Sequence, residues 1–479
     1  MNRTRFSEYY NLGKTQAELD YVDVFIDDDI PLFIDPFVFK LRDDSWAIEC
    51  NDLIIDFFST VINAIKNNRT AYAKQLLDSL SEPQETHLGV SKNSISGKGV
   101  SGKQAVDLYD KLSSSKAVQS GKVTDISDCE LMIPGIGFDK VSDITTNIIR
   151  EKLITYTQEQ CKLHGIPMRS VPSGKLWSPI EKRWLNGKYV NLPVADGKRI
   201  ILVPKSYVVH KMTLFSKELY DFDILEYIQA EQINAMTSLV EILKNGKSRV
   251  TKKSIKEREE YRMSKEFIYA FCDRHPEILE QYKERKKQAG VEIFSFDDID
   301  EVAVADALIS SLRQISPGND QANAFHSLSI GILEFLFHPR LMYPKKEHEV
   351  HEGRKRIDIT FNNASTDGFW NQIRTAPNIN ASLIMIECKN YTHDIKNPEL
   401  DQIAGRFSHQ RGWFGMVLSR HFDNKPLFIQ RCKDTAADGR GIILCIDDSD
   451  IVAMLNLIKE GKRSEIDKYM VNLYQKVIS

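Results

Sequence analysis

One run constrains this chain more than any other: Ser382-Leu383-Ile384-Met385-Ile386-Glu387-Cys388-Lys389. Side chains alternate along a strand, so Ile384, Ile386 and Cys388 take one face while Glu387 and Lys389 share the other. Upstream, apolar residues occupy both faces, the pattern of a central strand buried on both sides. Such a strand surfaces at its C-terminal end with a carboxylate beside an amine. That is the mark of a site, because an ion pair formed for its own sake repays its desolvation poorly. The expectation is a sheet whose middle strand ends in polar chemistry.

A second strand is expected over Arg356–Phe361, with Ile357, Ile359 and Phe361 on one face and Arg356, Asp358 and Thr360 on the other. If the two strands are neighbours, Asp358 lies beside Glu387. Two carboxylates plus the backbone carbonyl of Cys388 form a hard oxygen set suited to Mg²⁺ or Mn²⁺. Further upstream, Ala322–Phe337 reads as a helix apolar nearly all round, with Glu334 set among Ile330, Leu333 and Phe337. A carboxylate there either snorkels to water or is met by a positive group, a metal or Lys389. Downstream, Asn397-Pro398 starts a helix. Gln402 and Arg406 fall four apart on it with His409 nearby, a face able to hold a phosphate or a metal-bound water. A strand (Trp413–Ser419), a helix (Pro426–Ala436), a strand (Ile442–Ile446) and a helix (Asp450–Ile458) follow. The result is a mixed sheet with helices packed on it.

Taken in order, Glu334, Asp358, Glu387-Cys388-Lys389 and Gln402 resemble the PD-(D/E)xK, or restriction-endonuclease-like, nuclease superfamily. The resemblance covers about residues 320–460 and is closest in flavour to the Mrr-type nucleases, in which ExK is followed by a helix bearing a glutamine. Ile357 stands where the name-giving proline would be. The resemblance implies an Mg²⁺-dependent endodeoxyribonuclease of restriction or anti-phage defence type, with Mn²⁺ as a substitute ion. Asp358, Glu387 and the Cys388 carbonyl would hold the metal, with Glu334 helping through a water or a second ion. Lys389 would orient the attacking water, and Gln402 completes the catalytic set. The products would be a 5′-phosphate and a 3′-hydroxyl. Two other readings stand beside it: an RNA-directed nuclease, and a catalytically silent nuclease fold serving as scaffold or sensor.

The expected class is α/β (α+β) and multidomain. The C-terminal unit is a restriction-endonuclease-like mixed sheet flanked by helices, and the N-terminal region is mixed α/β. Expected boundaries are 1–160, a β-rich basic segment at 161–243, a charged helical connector at 244–300, and the nuclease unit at 301–479. At the start, Val22–Ile26 and Ile30–Val38 flank Asp27-Asp28-Asp29 like a hairpin with a solvated turn. A helical pattern runs from Leu53 to Leu80. The string Gly97–Gln104 nearly fits a phosphate loop but has no buried strand before it and Gln104 in place of Ser/Thr, so it reads as a flexible loop. Pro134-Gly135-Ile136-Gly137 looks like a helix-hairpin-helix turn, yet Asp139 would put a carboxylate at the phosphate. A tight turn before an ordinary helix, Asp139 to about Thr157, is expected.

Net charge decides what kind of nucleic-acid contact is available. Sixty-four basic and 67 acidic residues give −3, which excludes coating a polyanion by bulk charge. A local patch is needed. Between Arg169 and Lys211, nine Lys/Arg face two acids, with Trp177, Trp184, Tyr189 and Tyr207 interleaved. Either this is a binding face, with Lys175, Lys182, Arg183 and Lys188 on phosphates and rings on unpaired bases, or the rings are core and the lysines solvated. On the first reading, neutralising these lysines would lower an already modest salt dependence. Residues 244–287, with fourteen basic and eight acidic side chains, read as the connector. Seven scattered cysteines without a CxxC pair are expected to be free thiols in a reducing compartment. No run reaches the roughly 18–20 apolar residues of a membrane span, and no secretory signal is expected, so the location expected is cytoplasmic. The expected partners are DNA, or RNA, together with a second copy of the chain or a partner protein. Residues 1–290 would then act as a sensor restraining the nuclease.

Overall fold

The computed structural model of the protein describes residues 3–89, 101–123, 125–290, 299–350 and 355–479. Two hydrophobic cores organise them, one drawing chiefly on Phe6–Tyr282 and the other on Val304–Val477. No described helix is long and apolar enough to cross a membrane. All seven cysteines are buried free thiols.

The first core is mostly helical. Helix α1 (Ser45–Lys66) starts where the Asp44 carboxylate accepts the Ala47 N–H at 3.0 Å. It stops at Asn67, Asn68 takes a left-handed φ of 56°, and a separate helix runs from Thr70 to Leu77, so the Leu53–Leu80 pattern is broken in two. The Pro134–Gly137 turn joins helices Ile126–Met132 and Phe138–Ile148, and α2 (Arg150–His164) follows and ends on left-handed Gly165. The string at 97–100 lies outside the described residues, and a helix begins at Ser101.

The N-terminal hairpin is corrected. Val22–Ile26 and Ile30–Val38 do not pair with one another. Phe33–Ile34 pairs with Val208–Val209, and Pro36–Lys40 is helical. The cause is local: Asp35 caps the Phe37 N–H at 2.9 Å with proline in the first turn, which favours helix. Buried Asp23 holds the Ser7 N–H and hydroxyl at 2.8 and 2.6 Å, so side chains replace a ladder there. Residues 161–243 and 244–290 are not units of their own. They form short two-stranded ladders and helices whose apolar side chains, from Leu176 and Trp177 to Phe271 and Tyr282, join the first core.

The second unit is a five-stranded mixed sheet. β1 (Leu341–Val350), β2 (Lys355–Asn363) and β3 (Leu383–Lys389) pair antiparallel. β4 (Phe414–Ser419) and β5 (Ile442–Asp447) then add parallel to β3. Helices α3 (Glu301–Gln314) and α4 (Ala322–Phe337) precede the sheet, and α5 (Gly368–Thr375) links β2 to β3. Helices α6 (Asn397–Ala404) and α7 (Lys425–Ala437) are the two parallel crossovers, and α8 (Asp448–Lys459) and α9 (Glu465–Ile478) close the chain. The architecture is α+β. β3 is the middle strand, with Ile384, Met385 and Ile386 wholly inaccessible. β1 was not anticipated because Lys345–Glu349 carries charge at nearly every position, as suits an edge strand, not an alternating half-buried one. Its apolar start reaches back: Met342 and Tyr343 pack into the first core, Tyr343 at 5.6 Å from the Trp46 ring, and so clamp the two units.

Candidate functional site

The antiparallel register pairs Ile359 with Ile386, and its continuation sets Asp358 opposite Glu387. The strand alternation read from sequence therefore brings both carboxylates to one place. Lys389 Nζ lies 3.0 Å from Glu387 Oε2 and 3.6 Å from Asp358 Oδ2. Gln402, on α6, donates from Nε2 to Glu387 Oε2 at 2.8 Å, and its Oε1 accepts from Lys389 at 3.4 Å. Asp358 Oδ2 also accepts the Cys388 N–H at 2.9 Å, which fixes one carboxylate to the strand that carries the other. Four residues expected to act together thus form one hydrogen-bonded cluster at the C-terminal end of β3.

The electrostatics are those of a site in deficit of positive charge. Glu387 is fully buried, and its Oε1 has no hydrogen-bond partner. Burial first, and then the facing Asp358 carboxylate, push Glu387 up to about 7 against the pull of Lys389. Burial disfavours the Lys389 ammonium, but Glu387 and Asp358 outweigh it and raise its pKa. Two adjacent carboxylates, one with an unsatisfied buried oxygen, and a nearby backbone carbonyl suit a hard divalent cation. The Cys388 carbonyl already has a neighbour, His326 Nε2 on α4, at 3.1 Å. Burial holds this imidazole below its usual range, partly countered by Asp358. A carbonyl has two lone pairs, so the contact leaves one free. His326 escaped sequence reading; its signal was the one imidazole in a mostly apolar helix.

Beneath the cluster the strand ends are tied together. Asn390 donates to the carbonyls of Ser316 and Gly318 at 3.0 and 2.7 Å. Buried Arg420, just past β4, reaches the Asn390 side chain (3.0 Å), Asp448 (2.9 Å) and the carbonyls of Ile315 (2.5 Å) and Leu312 (3.0 Å) that end α3. These bonds hold the C-terminal ends of β3 and β4 level.

Glu334 is not in this cluster. His326 and Glu334 are eight residues apart on α4, about 12 Å along the axis. The Glu334 carboxylate meets Lys205 of the first unit at 3.0 Å and His338 Nδ1 at 3.0 Å. The positive group that a buried glutamate requires is therefore Lys205 and not Lys389. Asp20, Glu334 and His338 bring one ligand atom each within 4.8 Å of one another. Asp20 itself accepts from Tyr156 at 2.7 Å. Burial and the Glu334 charge raise Asp20 to about 7.

Two further expectations are corrected. Helix α6 ends at Ala404, so Arg406 lies beyond it, where its Nε donates to the Arg356 carbonyl at 3.0 Å; exposed His409 sits edge-on to Trp413. In the basic segment, Lys182 pairs with Asp56, Arg183 with Glu181 (2.5 Å), Lys188 with Glu151 (2.8 Å), and Lys175 donates to Ser79 (3.0 Å). Trp177 and Trp184 pack on Phe57 and donate to Asp56 and the Leu76 carbonyl, while buried Tyr207 stacks on Phe39. Of the four interleaved rings, Tyr189 stays exposed. Three of the four rings pack on the first core, and Lys182, Arg183 and Lys188 face local acids.

Residues 11–215 match the family described as Domain of unknown function (DUF8370), a stretch that contains none of the Asp358–Glu387–Lys389 cluster. No curated protein and no solved structure matches the chain.

Proposed function

We propose that the C-terminal unit is a restriction-endonuclease-like fold and a metal-dependent phosphodiesterase acting on DNA. The observation that carries this is the convergence of Asp358, Glu387, Lys389 and Gln402, with a buried Glu387 oxygen left without a partner. Asp358, Glu387 and the Cys388 carbonyl would hold an Mg²⁺ ion, which would supply Lewis-acid chemistry for activating a water and polarising a phosphate. The chain's own groups do the rest. The Lys389 ammonium, kept protonated by its carboxylate neighbours, orients the nucleophile and meets the negative charge that develops on the phosphate. Gln402 fixes the rotamers of Glu387 and Lys389 by bonding to both. His326 positions the Cys388 carbonyl. The mixed sheet order, with α4 before it and α6 as the crossover that delivers Gln402, supports the nuclease class. A role in restriction or anti-phage defence rests on the family resemblance of these motifs.

The test uses the full chain with plasmid DNA, linear DNA and RNA, each with Mg²⁺ or EDTA. Metal-dependent cleavage is expected for the wild type, with Lys389→Ala reduced by about 10²–10³-fold or more while circular dichroism shows the fold retained. Full activity in Lys389→Ala sinks the assignment. Cutting confined to RNA moves the substrate class, and no cutting of any polymer leaves a silent scaffold.

A further inference from the structure

The two units flank an open cleft of about 980 Å³. One wall is drawn from Tyr10–Lys14 and the end of α2 with the turn after it; the other is Ser327 of α4 and Lys345–Glu349 of the edge strand β1. None of the cluster's side chains lines the cleft, but two lining residues are close to it along the chain or ladder. Ser327, in its lining, follows His326, which contacts the Cys388 carbonyl. Lys346, also in its lining, pairs across the ladder with Ile359, the residue after Asp358. Both Asp358 and Lys346 act on the charge of His326.

Its charges are not balanced as the sequence count suggests. The acids are taken up: Glu159 by Lys345 at 2.8 Å, and Glu347 and Glu349 by Arg356 at 3.4 and 3.3 Å. Lys162 and Lys346 pair with no carboxylate among the described residues; Lys346 reaches only the Asn323 amide oxygen, at 3.2 Å. Lys14 crosses the cleft, 3.4 Å from the Ser327 carbonyl and 3.5 Å from Glu18. Lys162 and Lys346 thus line the cleft without a facing carboxylate, whereas in the 169–211 segment Lys182, Arg183 and Lys188 are held by acids and Lys175 donates to Ser79.

We propose that this cleft is the nucleic-acid channel: a phosphodiester strand lies between the units, with backbone phosphates on Lys162 and Lys346, and is delivered to Asp358 and Glu387. The N-terminal unit thus supplies half of the binding surface. The inference rests on the nuclease reading of the C-terminal cluster.

The experiment measures binding without cleavage, by fluorescence anisotropy of short labelled DNA and RNA strands, in a full-length Glu387→Gln background. Lys162→Ala, which lies on the N-terminal unit, and Lys162→Ala/Lys346→Ala are compared with Lys182→Ala/Lys188→Ala across a salt series. The cleft double variant is expected to bind about tenfold or more weakly, with the slope of log K against log salt reduced by about 1.4 for two single-strand phosphate contacts. Lys162→Ala alone should give about half of that change in slope. Unchanged affinity and slope in both cleft variants overturn the channel, as does a loss found only in Lys182→Ala/Lys188→Ala. If the parent binds and wild type cuts while the cleft variants are normal, the channel fails alone. If wild type neither binds nor cuts, the nuclease reading fails with it. The DNA and RNA arms identify which strand the cleft takes.

Discussion

At the residue scale, Glu387 sets the pH behaviour of the site. An unperturbed glutamate titrates near 4.3, whereas burial and Asp358 raise Glu387 to about 7. Between those values the native metal-free chain holds a proton that the unfolded chain has released. The group's contribution to stability therefore falls as pH rises from about 4 to about 7. Glu387→Gln is expected to flatten that part of the metal-free melting curve, as followed by circular dichroism at several pH values; an unaltered pH profile would mean that the carboxylate is not in deficit. Metal binding has the opposite sign, because a ligand must be deprotonated. Mg²⁺ affinity measured by calorimetry should climb toward pH 7 and level off above it, and Glu387→Gln should abolish the climb.

At the element scale, the position of α6 decides whether Gln402 reaches the cluster. α6 packs on β4 at Gly415, where an added Cβ would stand 2.5 Å from Ile403 Cδ1 and 3.0 Å from the Met385 carbonyl. Gly415→Ala must displace the Ile403 side chain or the helix that carries it, an overpacking that costs about 1–3 kcal/mol. The expected result is a lower melting temperature together with a cleavage rate reduced toward that of Gln402→Ala, while Mg²⁺ binding is largely kept. Wild-type rates in Gly415→Ala would show that α6 tolerates displacement and that Gln402 is not held by this contact.

At the scale of the whole molecule, the two units are joined by buried charge as well as by Tyr343. Lys205 and Glu334 are 6% and 0% exposed and pair across the interface. Removing one partner leaves an uncompensated buried charge, so Lys205→Met should cost about 3–5 kcal/mol, and Lys205→Met/Glu334→Gln should recover part of it. Urea unfolding reads both, and a single variant as stable as wild type would show that the pair is not a buried one in solution. Asp20, raised to about 7 by burial and Glu334, works in the same direction as Glu387: its share of stability declines as pH rises toward 7. Asp20→Asn should therefore raise stability above neutral pH relative to wild type.

What the sequence determined by itself was local. Period-two alternation assigned Glu387 and Lys389 to one face of a buried strand, and Asp358 to the matching face of another, since side-chain direction in a strand depends only on backbone pleat. Helix periodicity and Asn397-Pro398 likewise located Gln402. Glu334 was legible as a buried carboxylate in need of a cation, but not as the partner of Lys205, 129 positions earlier in the chain. Composition could not say whether Trp177 and Trp184 stack on bases or on Phe57, because an aromatic residue has the same sequence in either role. Only the tertiary structure decided these points: which charges are already paired, which rings are core, and which two surfaces face each other across a cleft depend on contacts between residues far apart in the chain, and those contacts leave no periodic trace in it.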